Sequence, residues 1–224
     1  MKPVTVQHPG HFALTKSSSS VAFICGICAS FLYVIMNIVC ALKYESYSSF
    51  SQTISELSAI GAPTRSLWGP LAIVYSILII YFAWGVWRFG YENKNLRIAG
   101  MILFFNGVIG FFWPSMHQRD ILAAGGGTLA DAMHIAFAAV TVVLMALTML
   151  FAGVALGRMF AAYSFLSLLA MFFFGILTSV QTSRMEANLP TPWMGVWERI
   201  CIGVYLLWVI VLALVLLNKN RVNR

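Results

Sequence analysis

Charged residues are scarce in this chain. Lys, Arg, Asp and Glu together make up 9% of its 224 residues, while 60% of the residues are hydrophobic and the mean hydropathy is +0.85. Soluble domains carry roughly 25% charged and 45–50% apolar residues, so a soluble globular fold is excluded. Only 4 cysteines are present, all within long apolar segments, which excludes a small disulfide-rich domain. The composition predicts an integral membrane protein.

The chain contains six apolar runs, each close to the roughly 20 residues that a membrane-spanning helix needs. The runs are continuously apolar, whereas the strands of a membrane β-barrel alternate, so helices are predicted. The expected spans are roughly Ser20–Leu42, Leu67–Phe89, Arg97–Trp113, Ala130–Leu156, Ala161–Val180 and Arg199–Leu217. The predicted fold is all-α: a polytopic membrane protein with a six-helix bundle over residues 20–217. A tail of residues 1–19 precedes the bundle, and a basic tail of residues 218–224 follows it.

The basic residues are distributed unequally between the two sides of the membrane. An even number of spans puts both termini on one side, and that side carries nine basic residues and one acidic residue, a net charge of +8. The opposite side carries five basic and six acidic residues, a net charge of −1. Because Lys and Arg accumulate on the cytoplasmic side, we expect both termini to be cytoplasmic and the protein to lie in the cell inner (plasma) membrane. The formal charge of +7 thus reports topology, and nucleic acid is not an expected partner.

Six of the seven acidic residues consequently fall on the non-cytoplasmic side, in or beside three patterned loops. Thr53 with Glu56, and Thr128 with Asp131, have the spacing of a capping box, in which the acidic side chain accepts a hydrogen bond from the backbone of the capping residue. These pairs predict a short helix after Thr53 and the start of the fourth span after Thr128. Helix capping is by itself a sufficient explanation for Asp131.

Two of the chain's four histidines, His117 and His134, flank this second cap. His134 follows Asp131 by three residues, so it lies on the same helix face, about 4.5 Å further along the axis. A glycine-rich loop would allow His117 to approach both. Two imidazoles, a carboxylate and an open position would suit a catalytic zinc ion, with Glu56 or Glu198 as general base. The alternative is that His134 is hydrogen-bonded to Asp131 or to a neighbouring helix.

Arginine side chains supply the positive charge of the same side. The candidates for binding a ligand or an anion are Arg119, Asp120, Arg184 and Arg199. The guanidinium fork suits the phosphate or carboxylate of a lipid headgroup. The alternative is a structural network of ion pairs, in which Arg199 contacts a carboxylate such as Asp131 or Glu56.

Three segments of the chain resemble the DUF998 family of uncharacterised bacterial and archaeal membrane proteins. They read PSMHQR, TLADAMHIAF and NLPTPWMGVWERICIGVYLLW, and the resemblance extends from about Val21 to Leu217. It implies a six-helix membrane fold but no activity. The polar residues that it singles out are His117, Arg119, Asp131, His134, Glu198 and Arg199.

Three functions are compatible with these residues, besides a purely structural or assembly role. The first is a binding module for a lipid headgroup, a small amphiphile or a cation, with membrane lipids and a second membrane protein or another copy of the chain as partners. The second is a metal-dependent hydrolase of an outer-leaflet lipid ester, amide or phosphodiester. The third is a transporter, which the scarcity of ionisable groups in the inner halves of the spans disfavours. The binding module requires the fewest features, only clustered Arg, Asp and His residues and an aromatic belt. The sequence leaves open whether the protein is an enzyme.

Overall fold

The computed structural model describes residues 16–222, so most of the predicted N-terminal tail lies outside the described residues. Within this part of the chain 80% of the residues are helical and none forms a strand. The α-helices are α1 (Lys16–Lys43), α2 (Arg65–Phe89), α3 (Lys94–Ile109), α4 (Arg119–Ala123), α5 (Leu129–Leu156), α6 (Arg158–Ser179), α7 (Thr182–Glu186) and α8 (Met194–Val222). Two 3₁₀ helices, Ile54–Ser58 and Gly110–Phe112, complete the helical elements of this region.

Six of these helices are long and apolar enough to cross a membrane, which confirms the predicted all-α, six-span fold. They are α1, α2, α3 continued by the second 3₁₀ helix, α5, α6 and α8. The last helix begins at Met194, five residues before the predicted start at Arg199. The carbonyl of Phe50, in the connection between α1 and α2, accepts hydrogen bonds from the backbone N–H groups of Gly195 and Val196. These contacts supply partners to a helix end that would otherwise have none.

The spanning helices pack as a closed ring in the order α1, α2, α3, α5, α6, α8 and back to α1. Neighbours in the ring are mostly neighbours in the chain, as short connections require. Large apolar side chains from several helices fill its centre, among them Phe82, Leu103, Met149 and Trp208, all fully buried. The ring therefore encloses a packed core.

The up-and-down course of the six helices gives the protein two distinct faces. The terminal face holds both ends of the described chain and the short connections at residues 90–93 and 157; there Asn220 donates a hydrogen bond to Ser20. The loop face holds three long connections, the first loop (residues 44–64), the second loop (110–128) and the third loop (180–193). Ile54 and Leu57 of the first connection are buried against α1 and α2, so this loop packs onto the bundle. The predicted polar residues lie at the loop face.

Candidate functional site at the loop face

The first loop is folded by the predicted capping box. Glu56 Oε2 accepts hydrogen bonds from the Thr53 backbone N–H at 2.7 Å and from the Thr53 hydroxyl at 2.9 Å. The helix that follows is a 3₁₀ helix of five residues. This turn directs the Glu56 side chain back into the protein, where it is only 4% exposed.

The buried Glu56 carboxylate forms an ion pair with Arg119 of α4. Arg119 Nε donates to Glu56 Oε1, and Arg119 Nη2 donates to Glu56 Oε2 at 2.8 Å, so the contact is bidentate. The same guanidinium donates from Nη1 to Thr191 Oγ1 at 2.7 Å and from Nη2 to the Ser51 carbonyl at 2.9 Å. One side chain therefore joins all three connections of the loop face.

Arg199 is held by backbone carbonyls of the first loop and of its own helix. Its Nη1 donates to the carbonyls of Ser49 at 2.9 Å, Gln52 at 3.1 Å and Gly195 at 2.9 Å. The early start of α8 places Arg199 beneath a stretch of non-helical backbone whose carbonyls are available. The predicted ion pair of Arg199 with Asp131 or Glu56 is wrong: those carboxylates pair with His117 and Arg119 instead.

Tyr47 connects Arg199 to the first loop. Its hydroxyl accepts a hydrogen bond from Arg199 Nη2 and donates to the Thr53 carbonyl at 2.7 Å. Burial raises the pKa of Tyr47, although the nearby Arg199 charge opposes the shift. The hydroxyl therefore keeps its proton and serves as both donor and acceptor.

Glu198, the other candidate general base, acts as a second cap for the 3₁₀ helix. Its Oε2 accepts a hydrogen bond from the Ile54 backbone N–H. Glu56 and Glu198 therefore hold successive N–H groups of the same turn, those of Thr53 and Ile54. Both candidate bases take part in fixing the first loop.

The second loop is fixed to α5 by His117 and Asp131. His117 donates from its backbone N–H to Asp131 Oδ1 at 2.6 Å, and its Nδ1 lies 2.9 Å from Asp131 Oδ2. Asp131 Oδ2 also accepts a hydrogen bond from the Thr128 backbone N–H at 2.8 Å, and the predicted capping box is confirmed. His134 does not join this pair. Its Nδ1 donates to the Pro114 carbonyl at 2.7 Å, and its ring packs edge-on against Trp113.

The arrangement of His117, Asp131 and His134 does not fit a zinc site with three protein ligands. Among residues 16–222, no group of three or more His, Cys, Asp or Glu side chains is arranged to hold a metal ion. His117 and Asp131 approach each other, but the Pro114 carbonyl orients His134 separately. Two ligands fall short of the three that a catalytic zinc site takes from a protein.

The remaining two candidates are exposed. Arg184 lies in α7 and donates from Nε to the Pro190 carbonyl at 3.0 Å. Asp120 lies in the first turn of α4, and its carboxylate has no hydrogen bond or ion pair with the described part of the chain. The three arginines thus have separate partners and do not converge on one anion.

A small polar cavity of about 150 Å³ opens at the loop face beside the Glu56–Arg119 pair. Its lining residues are Tyr44, Gln52, Glu56, Gln118, Arg119, Asp120 and Asn188. Sequence reasoning missed the neutral members of this set because uncharged polar residues are common in loops. Asn188 alone among these neutral residues has a left-handed backbone, with φ of 52°. Asn tolerates that conformation better than most residues.

These features define a polytopic α-helical membrane protein with an ordered polar loop face. The chain belongs to the DUF998 family: the family's sequence model, described as "Protein of unknown function (DUF998)", matches residues 27–215. The predicted resemblance is confirmed. No curated protein and no solved structure matches the chain. Because the family description names no activity, function has to be argued from the site itself.

Proposed function

We propose that this protein binds a small organic cation, or the ammonium group of an amphiphile or lipid headgroup, in the loop-face cavity. The observation that carries the proposal is the charge of the lining. Glu56 and Asp120 contribute two carboxylates and Arg119 one guanidinium, which leaves a net charge of −1. The Glu56–Arg119 pair is internally neutralised, so the Asp120 carboxylate is the charge available to a ligand.

An anion is a poorer fit for the same cavity. Arg119 already directs hydrogen bonds to Glu56, Thr191 and the Ser51 carbonyl. A phosphate would have to compete with these acceptors and approach two carboxylates. Drawing Arg119 away would leave the buried Glu56 carboxylate without its partner, and an uncompensated buried charge costs on the order of 3–5 kcal/mol. Attraction between the Asp120 carboxylate and an ammonium group requires no such rearrangement.

The size of the cavity limits the ligand to a small group. A water molecule takes up about 30 Å³ of liquid volume, whereas pockets for drug-sized ligands measure roughly 300–1,000 Å³. A cavity of about 150 Å³ accommodates an ethanolamine or trimethylammonium group. The remainder of an amphiphile would extend out of the cavity, along the protein surface.

The walls of the cavity are fixed before a ligand arrives. Tyr44 and Gln52 come from the first loop, Asp120 from α4 and Asn188 from the third loop, and Arg119 ties these connections together. Preorganised walls reduce the ordering cost of binding. The Tyr44 ring adds an aromatic surface, which attracts ammonium groups through a cation–π contact.

The test compares two substitutions that remove the same charge from the loop face. Asp120→Asn alters the lining, whereas Glu186→Gln alters an exposed acid that does not line the cavity. We expect ethanolamine, titrated calorimetrically into the purified protein, to bind about tenfold or more weakly to Asp120→Asn, because a hydrogen bond to a charged group contributes about 1.5–3 kcal/mol. Choline, whose ammonium group has no N–H, should lose only the charge attraction and weaken less. Glu186→Gln should bind like the wild type.

Native mass spectrometry distinguishes a lipid from a free cation. If the ligand is a lipid, phosphatidylethanolamine adducts should survive on the wild type and on Glu186→Gln, and fall on Asp120→Asn. If only the soluble cations bind, the ligand is a free cation. Equal binding by the two variants, or no binding of any of these probes to the wild type, would refute the proposal.

We also propose that the loop face is the non-cytoplasmic face of an inner (plasma) membrane protein. Support comes from the asymmetry of charge: a net +8 on the side of the termini against −1 on the side of the loops. The cation would then be taken from outside the cell or from the outer leaflet. Association with another copy of the chain or with a second membrane protein stays a prediction.

A further inference from the structure

We propose that a groove at the terminal face binds the phosphate of an anionic phospholipid, whose acyl chains continue along α3. The groove has a volume of about 290 Å³ and lies where the connection between α2 and α3 enters α3. Its lining residues are Tyr91, Glu92, Lys94, Arg97, Ile98 and Met101. It lies at the opposite end of the bundle from the loop-face cavity, so the inference does not depend on the function proposed above.

The four lining residues from α3 form one stripe of that helix. Lys94, Arg97, Ile98 and Met101 follow the spacing i, i+3, i+4, i+7, which places them on a single face. The cations occupy the first turn and the apolar residues the next one. The groove thus changes from basic to apolar along the direction in which α3 enters the membrane.

The two cations are available to a ligand. Lys94 is exposed, and no described residue accepts a hydrogen bond from the side chain of either Lys94 or Arg97. The Arg97 guanidinium lies 5.4 Å from the centre of the Trp87 ring, a cation–π contact that orients the side chain while leaving its N–H groups unused. With Glu92 the lining carries two positive charges and one negative charge, which favours an anion.

The position of the groove favours a lipid over a soluble anion. Both α2 and α3 are spanning helices, so their junction lies at the membrane interface. Tyr91, which is 67% exposed, has the amphipathic ring that favours the headgroup level. Beyond the cations the stripe continues to Met101, 49% exposed, and one turn further to Phe105, 56% exposed. A phosphate held by Lys94 and Arg97 would therefore lie directly above a surface for its own acyl chains.

The experiment compares two double substitutions, each of which removes two positive charges from the terminal face. Lys94→Gln/Arg97→Gln changes the groove, while Arg158→Gln/Lys219→Gln changes exposed residues that do not line it. Native mass spectrometry would measure the retention of phosphatidylglycerol and phosphatidylcholine by each purified protein. Each Lys or Arg near an anionic headgroup contributes about fivefold in affinity. We therefore expect phosphatidylglycerol retention to fall about 25-fold in the groove variant and to persist in the control variant.

Three results would overturn the inference. The first is equal loss of phosphatidylglycerol from both double variants, which would mean that the lipid is attracted by the overall positive charge of the terminal face and not by the groove. The second is equal retention of phosphatidylcholine and phosphatidylglycerol by the wild type. The third is binding of soluble glycerol 3-phosphate that displaces phosphatidylglycerol and disappears in the groove variant, which would mean a site for a free anion. If the groove variant does not fold, the exposed single substitution Lys94→Gln replaces it, with an expected loss of about fivefold.

Discussion

Replacing Glu56 by Gln should destabilise the loop face more than any other removal of a carboxylate there. The Glu56 carboxylate accepts hydrogen bonds from Gln52 Nε2, Thr53 N, Thr53 Oγ1, Arg119 Nε and Arg119 Nη2. Gln has the same shape, but one of its two oxygens becomes an NH₂ group. In either orientation of the amide, that group faces at least two of these donors. Because Glu56 is only 4% exposed, water can replace few of the lost contacts.

The expected cost follows from the burial of the pair. Removing one partner of a buried ion pair typically costs about 3–5 kcal/mol, and the 12% exposure of the Arg119 side chain favours the lower end. A cost of about 3 kcal/mol corresponds to a fall in melting temperature of roughly 6–12 °C for a chain of this length. Tryptophan fluorescence during a thermal scan in detergent measures the shift.

The matched control is Asp120→Asn, which removes a neighbouring carboxylate that is exposed. Such surface substitutions usually change stability by less than about 0.5 kcal/mol. The double variant Glu56→Gln/Arg119→Gln should lose less than the sum of the two single losses, since the second substitution removes the stranded charge. If Glu56→Gln melted within about 2 °C of the wild type, or no lower than Asp120→Asn, the pair would not hold the loops together.

Two further predictions concern the first loop and the orientation of the bundle. Gly195→Ala should lower stability by about 1–3 kcal/mol, because its Cβ would clash with the carbonyls of Gln52 and Ser49; a thermal scan should show no such loss for Gly203→Ala, whose added Cβ would meet no atom within 4 Å. For orientation, a cysteine at Glu45 in a cysteine-free background should react with an impermeant maleimide in intact cells, and one at Glu92 only after permeabilisation. The reverse pattern would contradict a non-cytoplasmic loop face.

The features predicted correctly from the sequence are those with local causes. A spanning helix is a property of about 20 consecutive residues, and a capping box is a property of four. The six spans and the caps at Thr53 and Thr128 are accordingly present in the structure. The start of α8 was missed because its partner is not local: the Phe50 carbonyl that caps Gly195 lies in the first loop, far away along the chain.

The partners of the charged side chains could not be predicted for the same reason. Arg119 and Glu56 are 63 residues apart, and Arg199 and the Ser49 carbonyl are 150 apart. The positive charge of an arginine restricts its partners to carboxylates and other acceptors, but it does not determine which of them the arginine contacts. The choice depends on how α8 meets the first loop, which no local pattern encodes. The three side chains considered as zinc ligands are likewise not grouped within residues 16–222, since His134 contacts the Pro114 carbonyl of the second loop.

The most conspicuous polar residues of the chain are therefore committed to structure. Arg119 joins the three connections, Arg199 holds carbonyls of the first loop, and Glu56 and Glu198 cap the same turn of that loop. Backbone groups of these long connections need such partners because they lie outside the spanning helices. A side chain whose hydrogen bonds are already satisfied within the protein gains little from a ligand. A ligand is better served by a group that the fold leaves unsatisfied, and beside the loop-face cavity that group is the Asp120 carboxylate. Function at this face should accordingly depend on an inconspicuous acid, and stability on the arginines.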